Sequence, residues 1–158
     1  MRDFLWVMDP AKDSLFDTLV RLQTFGESMF GETHTKFKLS GLQSRLHYIP
    51  LDMKVRRAIM QIFKEGMNNV AKHANAGQVI LAVHLQNDAL KITLGDDGCG
   101  FEAETKEKAG YGTGIMQQRA HNIGAELSIS SQSGKGTLLE LHYKLTQMGK
   151  SVGGMKYA

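Results

Sequence analysis

The hydrophobic positions of this chain switch repeatedly between two periods. Leu15, Phe16, Leu19, Leu22, Phe25 and Met29 recur at helical spacing. Asp13 or Ser14 can cap that run and Gly31 can stop it, which predicts a helix over 13–30. His34 to Ser40 alternates and ends at Gly41, which predicts a short strand. Residues 42–49 have no clear period. Pro50 breaks the chain, and Asp52 is a fair cap for a long helix running to about Ala74. Val55, Ile59, Ile62, Phe63, Gly66, Val70 and Ala74 form its apolar arc.

After Gly77 the period falls to two. Val79, Leu81, Val83 and Leu85 face one way, and Leu90, Ile92 and Leu94 follow across the turn Gln86-Asn87-Asp88, so a hairpin is expected. Residues 102–109 have nothing to bury and read as a mobile surface segment. Gly110, Gly112 and Gly114 then open a helix with Ile115, Met116, Ala120 and Ile123, stopped by Gly124. A second hairpin pairs Leu127 and Ile129 with Leu139, Leu141, Tyr143 and Leu145 around Ser133-Gly134-Lys135-Gly136. Helices alternating with antiparallel pairs imply an α/β two-layer sandwich, with helices on one face of a mixed, mostly antiparallel sheet.

The ends carry less pattern. Residues 1–10 read as the end of a preceding helix or linker, 11–146 as the domain, and 147–158 as a flexible tail. Phe4, Leu5 and Trp6 either pack on a partner or fold back onto this chain's own core.

Composition narrows the class. A chain of 158 residues suits one domain with a sizeable core. It carries no signal-peptide pattern and no apolar run of membrane-spanning length. A net charge of +3 with scattered basic residues does not point to nucleic acid. The single cysteine, Cys99, has no internal disulfide partner and suits a reducing compartment. His34, His47, His84, His121 and His142 stand singly, without metal-ligand spacing.

Four stretches carry chemistry. Glu65, Asn69 and His73 fall four apart on the long helix, with Lys72 between the last two in angle. The stripe suits a hard cation and phosphate, or is the solvated edge of an ordinary amphipathic helix. Asp96-Asp97-Gly98-Cys99-Gly100 follows a buried strand directly. A carboxylate there can accept from an exocyclic amine while glycines admit a flat ligand, or the stretch is a plain Asp-Gly turn. Gly110-Tyr111-Gly112-Thr113-Gly114 either offers helix N–H groups to phosphate or is a hinge. Ser133-Gly134-Lys135-Gly136-Thr137 alone is a hairpin turn.

Taken in order, these stretches resemble the N, G1, G2 and G3 boxes of the GHKL ATP-binding superfamily. Glu65-x-x-x-Asn69-x-x-Lys72-His73-Ala74 looks most like the catalytic domain of sensor histidine kinases of the nitrate-sensing subgroup. The resemblance covers roughly residues 50–145 and implies a domain that binds ATP and Mg²⁺ and transfers the γ-phosphoryl group to a histidine. Asn69 would hold Mg²⁺ and Glu65 would orient the attacking group, both as catalytic residues. Lys72 and His73 would contact phosphates. Asp96 would take the adenine amine, with Gly98 and Gly100 beside the base and Thr137 closing the pocket through a water. Gly112, Thr113 and Gly114 would face phosphate at the end of a lid over 101–113.

No histidine here sits in the acidic, paired-helix setting of a phosphoacceptor. The implied partners are therefore a histidine-bearing dimerisation domain of the same or another chain, and then a response regulator. The implied location is the cytoplasm, including the inner part of a membrane sensor. Two readings stand beside this one. An anti-sigma-factor serine kinase has a similar ATP site, against which Lys72-His73 and the N-terminal segment argue. A non-catalytic ATP-gated interaction module needs neither Glu65 nor Asn69 intact.

Overall fold

The computed structural model describes residues 14–100 and 106–145. The expected linker over 1–10, the tail over 147–158 and the start of the charged loop lie outside these residues.

Ser14 begins the first element. Its hydroxyl accepts the Asp17 N–H at 3.2 Å and donates to the Asp17 carboxylate at 2.8 Å. This reciprocal cap settles donors that the first helical turn would otherwise orphan. Helix α1 then runs Leu15–Phe30, with Leu15, Leu19 and Leu22 fully buried. Strand β1 is Lys36–Ser40, and Ser44–Tyr48 forms a single 3₁₀ turn where the hydrophobic pattern is ambiguous. Asp52 accepts the Val55 N–H at 2.9 Å and caps helix α2, Met53–Asn69. The apolar arc read from the sequence is the face α2 buries. Ile59, Ile62 and Phe63 have no exposure at all, and burying each contributes roughly 1.5–3 kcal/mol.

The remaining elements are β2 (Gln78–Gln86), β3 (Ala89–Asp96), helix α3 (Lys106–Asn122), β4 (Glu126–Gln132) and β5 (Gly136–Lys144). Both expected hairpins form. The first turns tightly at Asn87, whose φ of 56° is left-handed. The strands of this sheet lie in the order β1-β2-β3-β5-β4. β1 runs parallel to β2, and the other neighbours are antiparallel.

Alternation decides which face the helices cover. Val79, Leu81, Val83, Leu90, Ile92, Leu94, Leu139, Leu141 and Tyr143 point into the core beneath them. Lys36, Lys38, His84, Leu138 and His142 are exposed on the other face. The result is the two-layer α/β sandwich expected from the pattern. At Gly66 an added Cβ would lie 2.9 Å from the Leu94 and Leu139 methyls, so glycine lets α2 lie close on the sheet. Among the described residues no helix is long and apolar enough to cross a membrane.

Two expectations need correction. The α-helical part of α2 ends at Asn69, and Val70–Ala74 forms a wider turn before Asn75, at φ 48°, reverses the chain. Lys72 and His73 therefore leave the straight stripe shared by Glu65 and Asn69. Residues 106–109, part of the stretch expected to have no regular structure, are helical. Lys106, Glu107, Lys108 and Ala109 are good helix formers, so α3 starts several residues before the glycines expected to open it.

Candidate functional site

The end of α2 meets the end of β3. Helix termini leave carbonyls without intrahelical partners, and here a neighbouring loop supplies them. The Ala74 carbonyl accepts the Cys99 N–H at 2.8 Å. The His73 carbonyl accepts the Cys99 thiol at 3.2 Å. Gly98 packs so closely that an added Cβ would sit 2.3 Å from the Ala74 oxygen. The Asp-x-Gly-x-Gly loop is thus laid directly on the segment bearing the expected Asn, Lys and His. Glu65 and Asn69 are half-buried there, while Lys72 and His73 are exposed. Neither Glu65 nor Asn69 has a side-chain hydrogen bond to another described residue.

Asp96 and Asp97 are consecutive but do different things. The Asp96 carboxylate accepts the Gly98 N–H at 2.8 Å and the Thr137 N–H as well. Burial pushes its pKa above the ordinary carboxylate value, against the two backbone donors and together with the nearby Asp97 charge. Two N–H partners do not exhaust a carboxylate's lone pairs, so Asp96 can accept one more donor. Asp97 is exposed. Its Oδ1 accepts the Gly77 N–H at 2.8 Å and the Gln78 N–H at 2.9 Å. That role is invisible to the motif, which needs only one carboxylate.

The β4–β5 turn closes the other side. Gly134 N–H donates to the Cys99 carbonyl at 2.6 Å, which ties the two glycine-rich loops together. Gly136 has φ 84°, and a Cβ there would lie 2.0 Å from the Asp96 carbonyl. Gly100 has φ 62°, and a Cβ there would lie 2.2 Å from the Gln132 carbonyl. Thr137 shares a 2.8 Å hydroxyl bond with Ser131, a partner the sequence does not single out.

So Glu65, Asn69, Lys72, His73, Asp96, Gly98, Gly100 and Thr137 are carried by the elements that converge at this end of the sheet. Gly112, Thr113 and Gly114 do not stand at a helix start. They lie inside α3, and a Cβ on Gly114 would meet nothing within 4 Å. A phosphate cradle of free helix N–H groups is accordingly not formed at these glycines. The five other histidines are all exposed, His47 stacked on Phe16 with 3.6 Å between ring centroids.

A cavity of about 640 Å³ opens on the uncovered sheet face, over Ile80, Thr93, Gly95 and Leu138. It reaches the site at Asp96, Asp97 and the β4–β5 turn, including Ser131, Gly136 and Thr137, and no α2 side chain lines it. This cavity therefore meets the site at its Asp96 and Thr137 side and not at α2, so the polar groups, more than the hollow, mark the site.

Comparison with known proteins agrees with that geometry. Residues 54–147 match the family described as histidine kinase-, DNA gyrase B- and HSP90-like ATPase. The chain is 34% identical over 115 residues to the nitrate/nitrite sensor protein NarQ of Escherichia coli, covering 72% of this chain and 20% of that protein. It is 31% identical over 83 residues to the sensor histidine kinase LiaS of Bacillus subtilis, covering 52% of this chain and 23% of that protein. The chain thus spans between a fifth and a quarter of these relatives. In structure it resembles the histidine kinase domain of a blue-light activated kinase from Erythrobacter litoralis. The TM-score is 0.72 at 20% identity, over 89% of this chain and 65% of that one. With the family model covering more than half of its length, the chain belongs to the histidine kinase-, DNA gyrase B- and HSP90-like ATPases.

Proposed function

We propose that this domain binds Mg·ATP and transfers the γ-phosphoryl group to a histidine on a dimerisation domain of the same or another chain. In that transfer the bond from the γ-phosphorus to the ADP oxygen breaks and a phosphorus–nitrogen bond forms. A response regulator would take the group onward, and the setting would be cytoplasmic. The observation that carries the reading is the clasp of the α2 exit on the strand end bearing Asp96.

The residues fit the ligand. Asp96 is half-buried, pre-oriented by two backbone N–H groups, and has lone pairs left for the adenine amine. Gly98 and Gly100 keep the loop tight beside the base, and Thr137 is anchored next to Asp96 by its own N–H. Asn69 and Glu65 lie half-buried on α2 with side chains unengaged by described residues. No cluster of three or more His, Cys, Asp or Glu side chains able to hold a metal occurs among the described residues. Magnesium would therefore take Asn69 as a protein ligand and most of its oxygens from phosphate and water, as this ion commonly does. When bound it supplies charge neutralisation at the phosphates. Lys72 and His73, exposed at the helix end, would meet the outer phosphates. Glu65, one turn before Asn69, would orient the incoming imidazole. Phosphoryl transfer needs positioning and electrostatics more than covalent help, and this inventory suits it. Gly112, Thr113 and Gly114 would reach phosphate only if the first turns of α3 rearranged.

Calorimetry of ATP with and without Mg²⁺ tests the reading. Asn69→Ala should leave the fold intact and abolish the tightening by Mg²⁺. A variant that binds Mg·ATP as well as the parent would remove Asn69 from the site.

A further inference from the structure

We infer that Asp97 is a positioning residue: its carboxylate locks the exit of α2 to the strand end that carries Asp96. The inference rests on the reading of Asp96 as the base-binding carboxylate and extends it to the residue that the Asp-x-Gly-x-Gly pattern leaves unspecified.

One oxygen of Asp97 receives two consecutive backbone donors, Gly77 at 2.8 Å and Gln78 at 2.9 Å. The Asp97 N–H returns a bond to the Gln78 carbonyl at 3.3 Å. Gly77 ends the short segment that follows the wide turn of α2. That segment is braced from the β1 side, where the Thr35 hydroxyl donates to the Ala76 carbonyl at 2.8 Å and the Lys36 N–H to the Gly77 carbonyl at 2.9 Å. Asp97 braces it from the β3 side. Three residues upstream of that brace, Ala74 accepts the Cys99 N–H. Asp97 is thus the side-chain bond in a ring that runs from Asp96 through Gly98 and Cys99 to Ala74 and back through Gly77.

The position of Asp97 separates geometry from stability. It is exposed, and exposed hydrogen bonds contribute little to global stability. Its leverage on the site is larger, because a shift of the α2 exit moves Asn69, Lys72 and His73 together relative to Asp96. The alternative is that Asp97 only starts strand β2 neatly. That role would lower stability and leave a folded protein's affinity unchanged.

Asp97→Asn and Asp97→Ala discriminate between these. The amide oxygen of Asn can still accept both N–H groups, and Ala cannot. Hydrogen exchange of the Cys99 amide, measured without nucleotide, should speed up roughly tenfold or more in Asp97→Ala and stay near parental in Asp97→Asn. The Kd for Mg·ATP, measured well below each variant's unfolding temperature, should rise roughly tenfold or more in Asp97→Ala and be rescued by Asn. Parental exchange at Cys99 in Asp97→Ala, or a change in Asn equal to that in Ala, overturns the positioning role. A parent chain that binds no ATP overturns the nucleotide reading instead, and the exchange measurement then still decides on Asp97.

Discussion

At the residue scale, Asp96 carries the sharpest consequence. Its pKa is raised, chiefly by burial, so the folded state holds its proton to a higher pH than the unfolded chain does. Over that window folding retains a proton that unfolding releases, so stability falls as pH rises. Above the folded pKa the cost of the buried charge persists. Asp96→Asn keeps an oxygen for Gly98 and Thr137 and removes that charge. The variant should equal or exceed the parent's thermal stability at neutral pH, with the gap narrowing toward pH 4. Its ATP affinity should fall at least roughly tenfold, since the amide loses the charge-assisted acceptor. Thermal scans at several pH values and calorimetry read the two effects separately. Asp96 is legible as a candidate from its place at a strand end before two glycines. The division of labour with Asp97 was not, because both carboxylates satisfy the same local pattern and only the fold places Gly77 beside one of them.

At the scale of elements, the glycines separate into two kinds. Gly98 is wedged against Ala74, with a hypothetical Cβ 2.3 Å from its oxygen and 2.7 Å from its Cβ. Gly98→Ala must push α2's exit off the loop, and should cost more than about 2 kcal/mol in urea unfolding. Gly114 sits inside a helix with open space around it. Gly114→Ala should stabilise by about 0.5–1 kcal/mol, the ordinary helix-propensity difference. A loss of stability there would contradict a helical Gly114. The start of α3 is hidden in the sequence because Gly-x-Gly looks like a boundary, while the charged residues before it look like a loop. Lys and Glu are good helix formers even with nothing to bury, and that preference prevailed. The hydrophobic arc continues to Ala74, but it does not show that the α-helical part of α2 ends at Asn69 and widens beyond it. No residue type marks the widening. It coincides with the carbonyls of His73 and Ala74 turning to Cys99.

At the scale of the whole molecule, α2 spans the domain. Its capped start lies near Tyr143, and its exit lies at the site on the opposite end of the sheet. Tyr143 is 3% exposed, and burial followed by the Asp52 charge pushes its pKa to about 12. The folded state keeps this phenol protonated while an unfolded tyrosine ionises near 10. Stability should therefore fall as pH rises from about 10 to about 12. Tyr143→Phe should flatten that loss in alkaline denaturation followed by circular dichroism, and an unchanged slope would show that another group titrates there. The alternation of hydrophobic positions by itself determined where the three helices and both hairpins lie, though not every helix end, and the face that the hairpin strands bury. These are local matters, settled by periods of 3.6 and 2 and by turn residues a few positions apart. Only the tertiary structure decided that β1 lies parallel beside β2, that β5 enters between β3 and β4, and that the wide turn, the Asp96 loop and the Gly136 turn meet. Those strand pairings join residues 42 to 55 positions apart. No local period encodes them, because what selects them is the burial of one continuous sheet face under the helices.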